Sequence, residues 1–249
     1  MQSNMGKGNL TMTYAPISEQ EATAGFDLNL EEIQVERLIS LFPSMDTLMP
    51  MLRSFEGVLD CQIITTCRLD STLSVIMPSI NASCYLHGNE MVLLDGETFT
   101  EISKTLMFKN KERNLIDSIS VDLAIKDNQI EVFPFLIEMD RYRVAVGGTH
   151  NLDMTFNYHV SVLKSPVPFK LGIDITGNLD DFKFKVTKCK YKDLFQPAKQ
   201  AELDSTRTNI RKTLQDAVRQ QLIQSAPELG NRTTDSHTSV RNIAYNLPR

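Results

Sequence analysis

The sequence predicts a mainly β protein, an antiparallel sheet with short flanking helices and a C-terminal helix. Three observations carry that reading. From Asn114 to Val186 apolar and polar residues alternate along one short segment after another, the period-2 signature of strands with one oily and one wet side. Tight-turn pairs, Asp127-Asn128 and Asp140-Arg141, separate these segments and favour an antiparallel meander over parallel βαβ units. After Pro197 the period changes, and Leu203, Ile210, Leu214, Val218 and Leu222 form a stripe at helical spacing.

In chain order, GNLTMTYAP and ATAGFDLNL read as a first pair of strands. Asn29 and Glu32 match a capping box, which predicts a helix through Ile33, Val35, Leu38, Ile39 and Phe42, stopped by Pro43. A second short helix is expected from Ser44 to about Arg53. FEGVLDCQIITTCRL is rich in β-branched residues and reads as a strand. SVIMPSINASCYLHGNEMVLLDG reads as further strands broken at Pro78, Gly88 and Asp95-Gly96. Thr98 and Glu101 form another capping box, opening a helix to about Phe108. Ser118–Ile125 alternates cleanly, and Pro134 in the following strand removes a ladder donor and marks an edge or bulge. RYRVAVGG, then NLDMTFNYHVSVL read as one strand, FKLGIDITG, and finally Phe182, Phe184 and Val186 complete the series.

A chain of 249 residues with 41% hydrophobic and 23% charged residues can bury a sizeable core. Its net charge of −5 gives no general attraction to nucleic acid, and none is expected as a partner. The charge is uneven. From Lys199 onward eight Lys or Arg stand against five Asp or Glu, which leaves −8 on the body. No apolar run approaches the roughly 20 residues that span a bilayer, and the polar opening MQSNMGKGNL has no signal-peptide core. Cys61, Cys67, Cys84 and Cys189 show no metal-like spacing and read as free core thiols or one disulfide.

Catalytic motifs are missing. There is no GxGxxG, GxxxxGK[ST], GxSxG or HExxH, and the GKG at residues 6–8 is too short for a phosphate loop. His150 and His159, nine apart, would face opposite ways in one strand and read as surface histidines. Glu31-Glu32 and Asp180-Asp181 sit at an expected helix start and a turn, where local backbone chemistry accounts for them. No nucleophile, base, metal or cofactor is nominated, so a non-enzyme is expected. The oily strand faces then have two readings. They pack into an ordinary closed core, or the sheet curls into a trough that stays open for lipid chains; eleven methionines suit either.

Three runs, FDLNLEEIQVERLISLFPSMDTLMPMLRSFEGVLD, STLSVIMPSINASCYLHGNEMVL and VGGTHNLDMTFNYHV, resemble the C-terminal region of AsmA-family envelope proteins, most of all the variant of Bacteroidota. The resemblance covers about residues 9–190. It rests on the FPSMDTLMPML insert, Gly57 opening a strand, Leu69-Asp70, Pro78-Ser79 and a glycine corner before a Leu-Asp strand. It implies a curved antiparallel β-sheet forming an apolar groove, in a periplasmic protein attached to the inner membrane that passes phospholipid between membranes in outer-membrane biogenesis. On that footing residues 9–195 are expected as the groove domain; from the helical stripe 198–225 is expected as an amphipathic helix, and from its polar, aperiodic composition 226–249 as a disordered tail. The chain then reads as the C-terminal end of a longer transporter or as a reading frame begun at an internal Met, and as cytoplasmic if complete.

The lipid-facing candidates are the apolar parity of the strands: Val121 and Leu123; Tyr142, Val144 and Val146; Met154, Phe156, Tyr158 and Val160. To these are added Leu171, Ile173, Phe182 and Phe184. The implied partners are phospholipid acyl chains and envelope proteins of either membrane. The tail helix is expected to cap the groove end, to lie on an anionic membrane or to contact a partner. The alternative function is a structural or partner-binding β-domain with a closed core and no lipid.

Overall fold

The computed structural model describes residues 6–41, 50–94, 113–139, 142–166, 170–178, 181–225 and 242–243. Its strands are β1 (Lys7–Pro16), β2 (Glu21–Gln34), β3 (Phe55–Glu56), β4 (Val58–Asp70), β5 (Asn81–Leu94) and β6 (Arg113–Lys126). They continue with β7 (Gln129–Met139), β8 (Tyr142–Asn151), β9 (Phe156–Lys164), β10 (Gly172–Gly177), β11 (Phe182–Thr187) and β12 (Asn242–Ile243). Helix α1 spans Val35–Leu41 and α2 spans Pro197–Ser225. All strands join one open, curved sheet in the order β11-β10-β9-β8-β7-β6-β5-β4-β2-β1-β12, with β3 pairing β5, and every pair is antiparallel.

The up-and-down order sorts the connections onto two rims. On one lie the short turns around Ile17–Gln20, Ser71–Ile80, Asp127-Asn128, Leu152–Thr155 and Asn178–Asp181. On the other lies α1. Asp127-Asn128 forms the expected two-residue hairpin turn, with φ of 52° and 64° at its two positions.

Three neighbouring stretches of the sheet carry bulges or breaks. The β2/β4 register shifts between Leu30 and Ile33, where Glu32 has φ 55°; the next strand breaks at Gly57; and in β5 Glu90 has φ 53°. An extra residue kinks a strand and sharpens its twist, so neighbouring bulges add curvature to the open sheet. Gly57 has φ 142°, and a Cβ there would stand 2.8 Å from Met91 Sδ, so a larger residue would both strain the backbone and displace Met91. Pro134 does mark a bulge, between Val132 and Phe135, packed against Gly147 of β8.

Four expectations change. The helix expected from Asn29 is strand as far as Gln34, with helix at Val35–Leu41 among the described residues, and the described part of the second expected helix, Pro50–Ser54, is a 3-10 turn. Gly88 interrupts nothing, because β5 runs through it. NLDMTFNYHVSVL is not one strand: Asn151 ends β8, residues 152–155 turn, and Phe156 starts β9. Of the tail expected to be disordered, Asn242–Ile243 pairs with β1 at Thr11 and Leu10. The helix expected at 98–108, the Asp140-Arg141 corner and residues 226–241 and 244–249 lie outside the described residues.

The candidate apolar groove

Residues directly opposite in an antiparallel ladder share a face, so the registers trace each face across the sheet. One face runs Met12, Phe26, Thr65, Ala82, Ile125, Ile130, His150, Phe156 and Gly177 along the turn rim. A parallel track runs Leu28, Ile63, Cys84, Leu123, Val132, Gly148, Tyr158, Ile175 and Phe184. Apolar side chains therefore follow one another, with few breaks, from β1 to β11.

The sequence-derived candidates mostly fall on this face. Val121 and Leu123 project from β6, Tyr142, Val144 and Val146 from β8, Phe156, Tyr158 and Val160 from β9, Ile173 from β10, and Phe182 and Phe184 from β11. Leu171 lies one residue ahead of β10, packs against the same cluster, and its carbonyl accepts the Val162 N–H at 2.8 Å. Met154 is displaced from the set: it sits in the β8–β9 turn with φ 68°, where Asp153 and Asn151 hold Thr155. Absent from the candidates is the face's other half, on β1 to β5 and β7, including Leu28, Cys61, Leu86, Ile130 and Ile137. Their alternation was visible, but no quoted strand linked them to β6–β11.

Depth varies across the face. Leu123, Val160 and Ile173 in the floor are 3%, 5% and 0% exposed, whereas Met12 on β1 is 50% and Val186 on β11 is 61% exposed. One polar pair interrupts the apolar surface. His150 Nδ1 lies 2.7 Å from Tyr158 Oη, and burial pushes the Tyr158 phenol well above its ordinary pKa. Cys61 and Cys84, in the same floor, and Cys67 are buried free thiols, and the neighbouring Cys61 thiol and burial raise Cys84.

The other face is polar and carries α2, so the helix does not cap the groove end as one expectation had it. Arg207 donates to the Pro134 carbonyl of β7 at 2.6 Å, Arg211 donates to Asp122 of β6 at 2.6 Å, and Arg219 acts on Asp27 of β2. Twelve residues of helix rise about 18 Å, and the four strand spacings from β7 to β2 cover about 19 Å. The helix is therefore a strap laid across the strands. Beneath it Ile64 is wholly buried, and Val218 is 2% exposed.

Further along the polar face, one cluster was not legible in the sequence. His159 Nδ1 is 2.5 Å from Asp174 Oδ1, and its Nε2 is 2.9 Å from Ser161 Oγ. That order is shared with nucleophile relays. Here it is closed: Ser161 is 0% exposed, its Oγ accepts the Tyr191 N–H at 3.0 Å, and His159 Nε2 accepts the Lys190 N–H at 3.2 Å. The cluster pins residues 188–191 onto the sheet. His150 and His159 do face opposite ways, but both are buried, at 5% and 3% exposed, not on the surface. No group of three metal-ligating side chains occurs among the described residues, and no described helix is long and apolar enough to cross a membrane. Neither a family model nor a curated protein matches the chain.

Proposed function

We propose that the chain is a non-enzymatic lipid-binding groove segment of an AsmA-like protein, serving phospholipid transport and outer-membrane homeostasis. One observation carries the reading: an apolar face crosses ten successive strand positions, and α2, the long helix that could have sealed it, lies on the opposite side. Acyl chains ask for this kind of surface, an extended apolar track without a specific polar partner. The periplasmic placement, the inner-membrane attachment and the envelope partners rest on the family resemblance. The closed state of the Ser161–His159–Asp174 cluster supports the absence of a catalytic role.

A second reading is favoured by a specific observation. Floor residues such as Ile130 and Ile173 are 0% exposed, as in a closed core that takes no ligand. Native mass spectrometry of protein prepared from a membrane-containing host separates the two. Co-purifying phospholipid supports the groove; protein that stays lipid-free after exposure to phospholipid supports the closed core.

A further inference from the structure

The β4–β5 loop is built differently from the other turns on its rim. Ser71–Ile80 contains no charged residue, and it displays Leu73 at 63%, Val75 at 46% and Met77 at 40% exposure. Ile17, 58% exposed, stands in the β1–β2 turn beside it, since Glu21 and Asp70 are register partners. Leu69 and Val75 form an isolated bridge, so Val75 continues the groove face past the end of the sheet.

The loop is held in place. Asp70 Oδ1 accepts the Thr72 N–H at 2.8 Å, the Thr72 hydroxyl at 2.6 Å and the Ser74 N–H at 3.0 Å, while its carbonyl accepts the Leu73 N–H at 2.9 Å. Ser79 Oγ accepts the Arg68 N–H at 2.7 Å and donates to the Ile76 carbonyl at 2.6 Å. Leu73 itself is in the left-handed region, with φ 61°, an uncommon position for a γ-branched residue. Apolar side chains are thus held in water at the tip of an ordered loop, and embedding them needs no further ordering of the chain.

We propose that this tip docks the turn rim onto a zwitterionic phospholipid bilayer, with Leu73, Met77 and Ile17 entering the interfacial layer. Size argues against a protein occupant. Four partly exposed side chains present on the order of a few hundred Å², below the roughly 800 Å² per partner of a standard protein interface. A bilayer needs only apolar area and polar groups that are already satisfied. Charge decides the lipid type. Glu19, Asp127, Asp153 and Asp181 are exposed on the same rim and outnumber its cations, Lys126 beside Asp127 and Arg68 paired with Glu21 at 3.1 Å, so an anionic surface would repel it. The proposal rests on rim residues and is separate from the filling of the groove.

The test uses the full chain and phosphatidylcholine vesicles. Sedimentation with vesicles is expected for the wild type and falls by about tenfold in Leu73→Asp, since a carboxylate resists transfer into the interface. Aspartate tolerates left-handed φ, so the loop should keep its shape. Leu115→Asp, at an equally exposed apolar site (58%) on β6 toward the opposite rim and off the groove face, should bind as the wild type does. The chain has no tryptophan, so Met77→Trp supplies a single reporter whose emission should shift to the blue on vesicle addition. Any of four results overturns the proposal: no sedimentation, equal binding by Leu73→Asp, equal loss in Leu115→Asp, or an unshifted tryptophan emission from Met77→Trp. So do pelleting without vesicles and binding that requires phosphatidylglycerol. Lipid extracted from the same preparations reports on the groove, so either idea can fail alone.

Discussion

Arg211 donates to Asp122 across 2.6 Å while its guanidinium lies 4.8 Å from the centroid of the Tyr85 ring. Arg207 shares the same carboxylate at 3.5 Å. Burial raises the Asp122 pKa, and the two guanidiniums pull it back, so the site is a desolvated charge balanced by its partners. Asp122→Ala leaves Arg211 without its acid and Arg207 with only the exposed Asp204, 3.3 Å away, and should cost about 2–4 kcal/mol. Urea midpoints measure the loss. Trypsin should also cut faster at Arg207, Arg211 and Lys212; unchanged cutting would show that apolar contacts alone hold α2.

Phe156 projects from the groove face opposite His150 and Gly177, and Asn157 projects from the other side. Phe156→Glu should cut co-purifying phospholipid by about tenfold or more, because acyl chains would have to share the track with a desolvated charge. Melting should remain cooperative. Asn157→Glu should change neither. Global unfolding of Phe156→Glu would identify that face as a sealed core.

Burial alone would raise the Asp174 carboxyl, but hydrogen bonds from Lys190, at 2.7 Å, and His159 outweigh it and hold the pKa below the usual range. A carboxylate depressed on folding adds stability that is fully present above its unfolded pKa, about 3.9, and is lost as pH falls through the folded value. Asp174→Asn should therefore cost about 1–2 kcal/mol at pH 7. The gap to wild type should narrow below about pH 4. A gap independent of pH would assign the cost to packing.

Gly172 lies where a Cβ would run into the Lys188 carbonyl oxygen and stand 2.5 Å from His159 Cε1. Backbone on one side and a pinned ring on the other leave no room to yield. Gly172→Ala should cost about 1–3 kcal/mol by overpacking. Amide exchange at Lys190 and Tyr191 should speed up, since their N–H groups end on His159 and Ser161.

Period-2 alternation made β6 to β11 legible, and the face assignment survived even where one strand was really two. The β8–β9 register pairs His150 with Phe156 and Gly148 with Tyr158, even number to even number, so the hairpin conserves parity. Met154 kept the parity while sitting in the turn. Bulges defeated the same method in β2. With Glu32 inserted, the buried positions become Leu28, Leu30, Ile33, Val35 and Leu38, a spacing that imitates a helix and agrees with the chance capping box. The strap was illegible for another reason. Its ion pairs join Asp122 to Arg207 and Arg211, the latter 89 residues away in the chain, and nothing in the composition of either segment names the partner.

Among the described residues no pairing closes the up-and-down sheet, and β11 ends it with Lys183 and Lys185 on the polar side of an edge. Length in such an architecture is a matter of counting. Each hairpin adds about 9.6 Å across the strands without disturbing those already in place. Ten strand positions give nine spacings, or about 43 Å of apolar track, against a hydrocarbon core about 30 Å thick. Duplication or loss of a hairpin would rescale the span in steps, as rungs do a ladder.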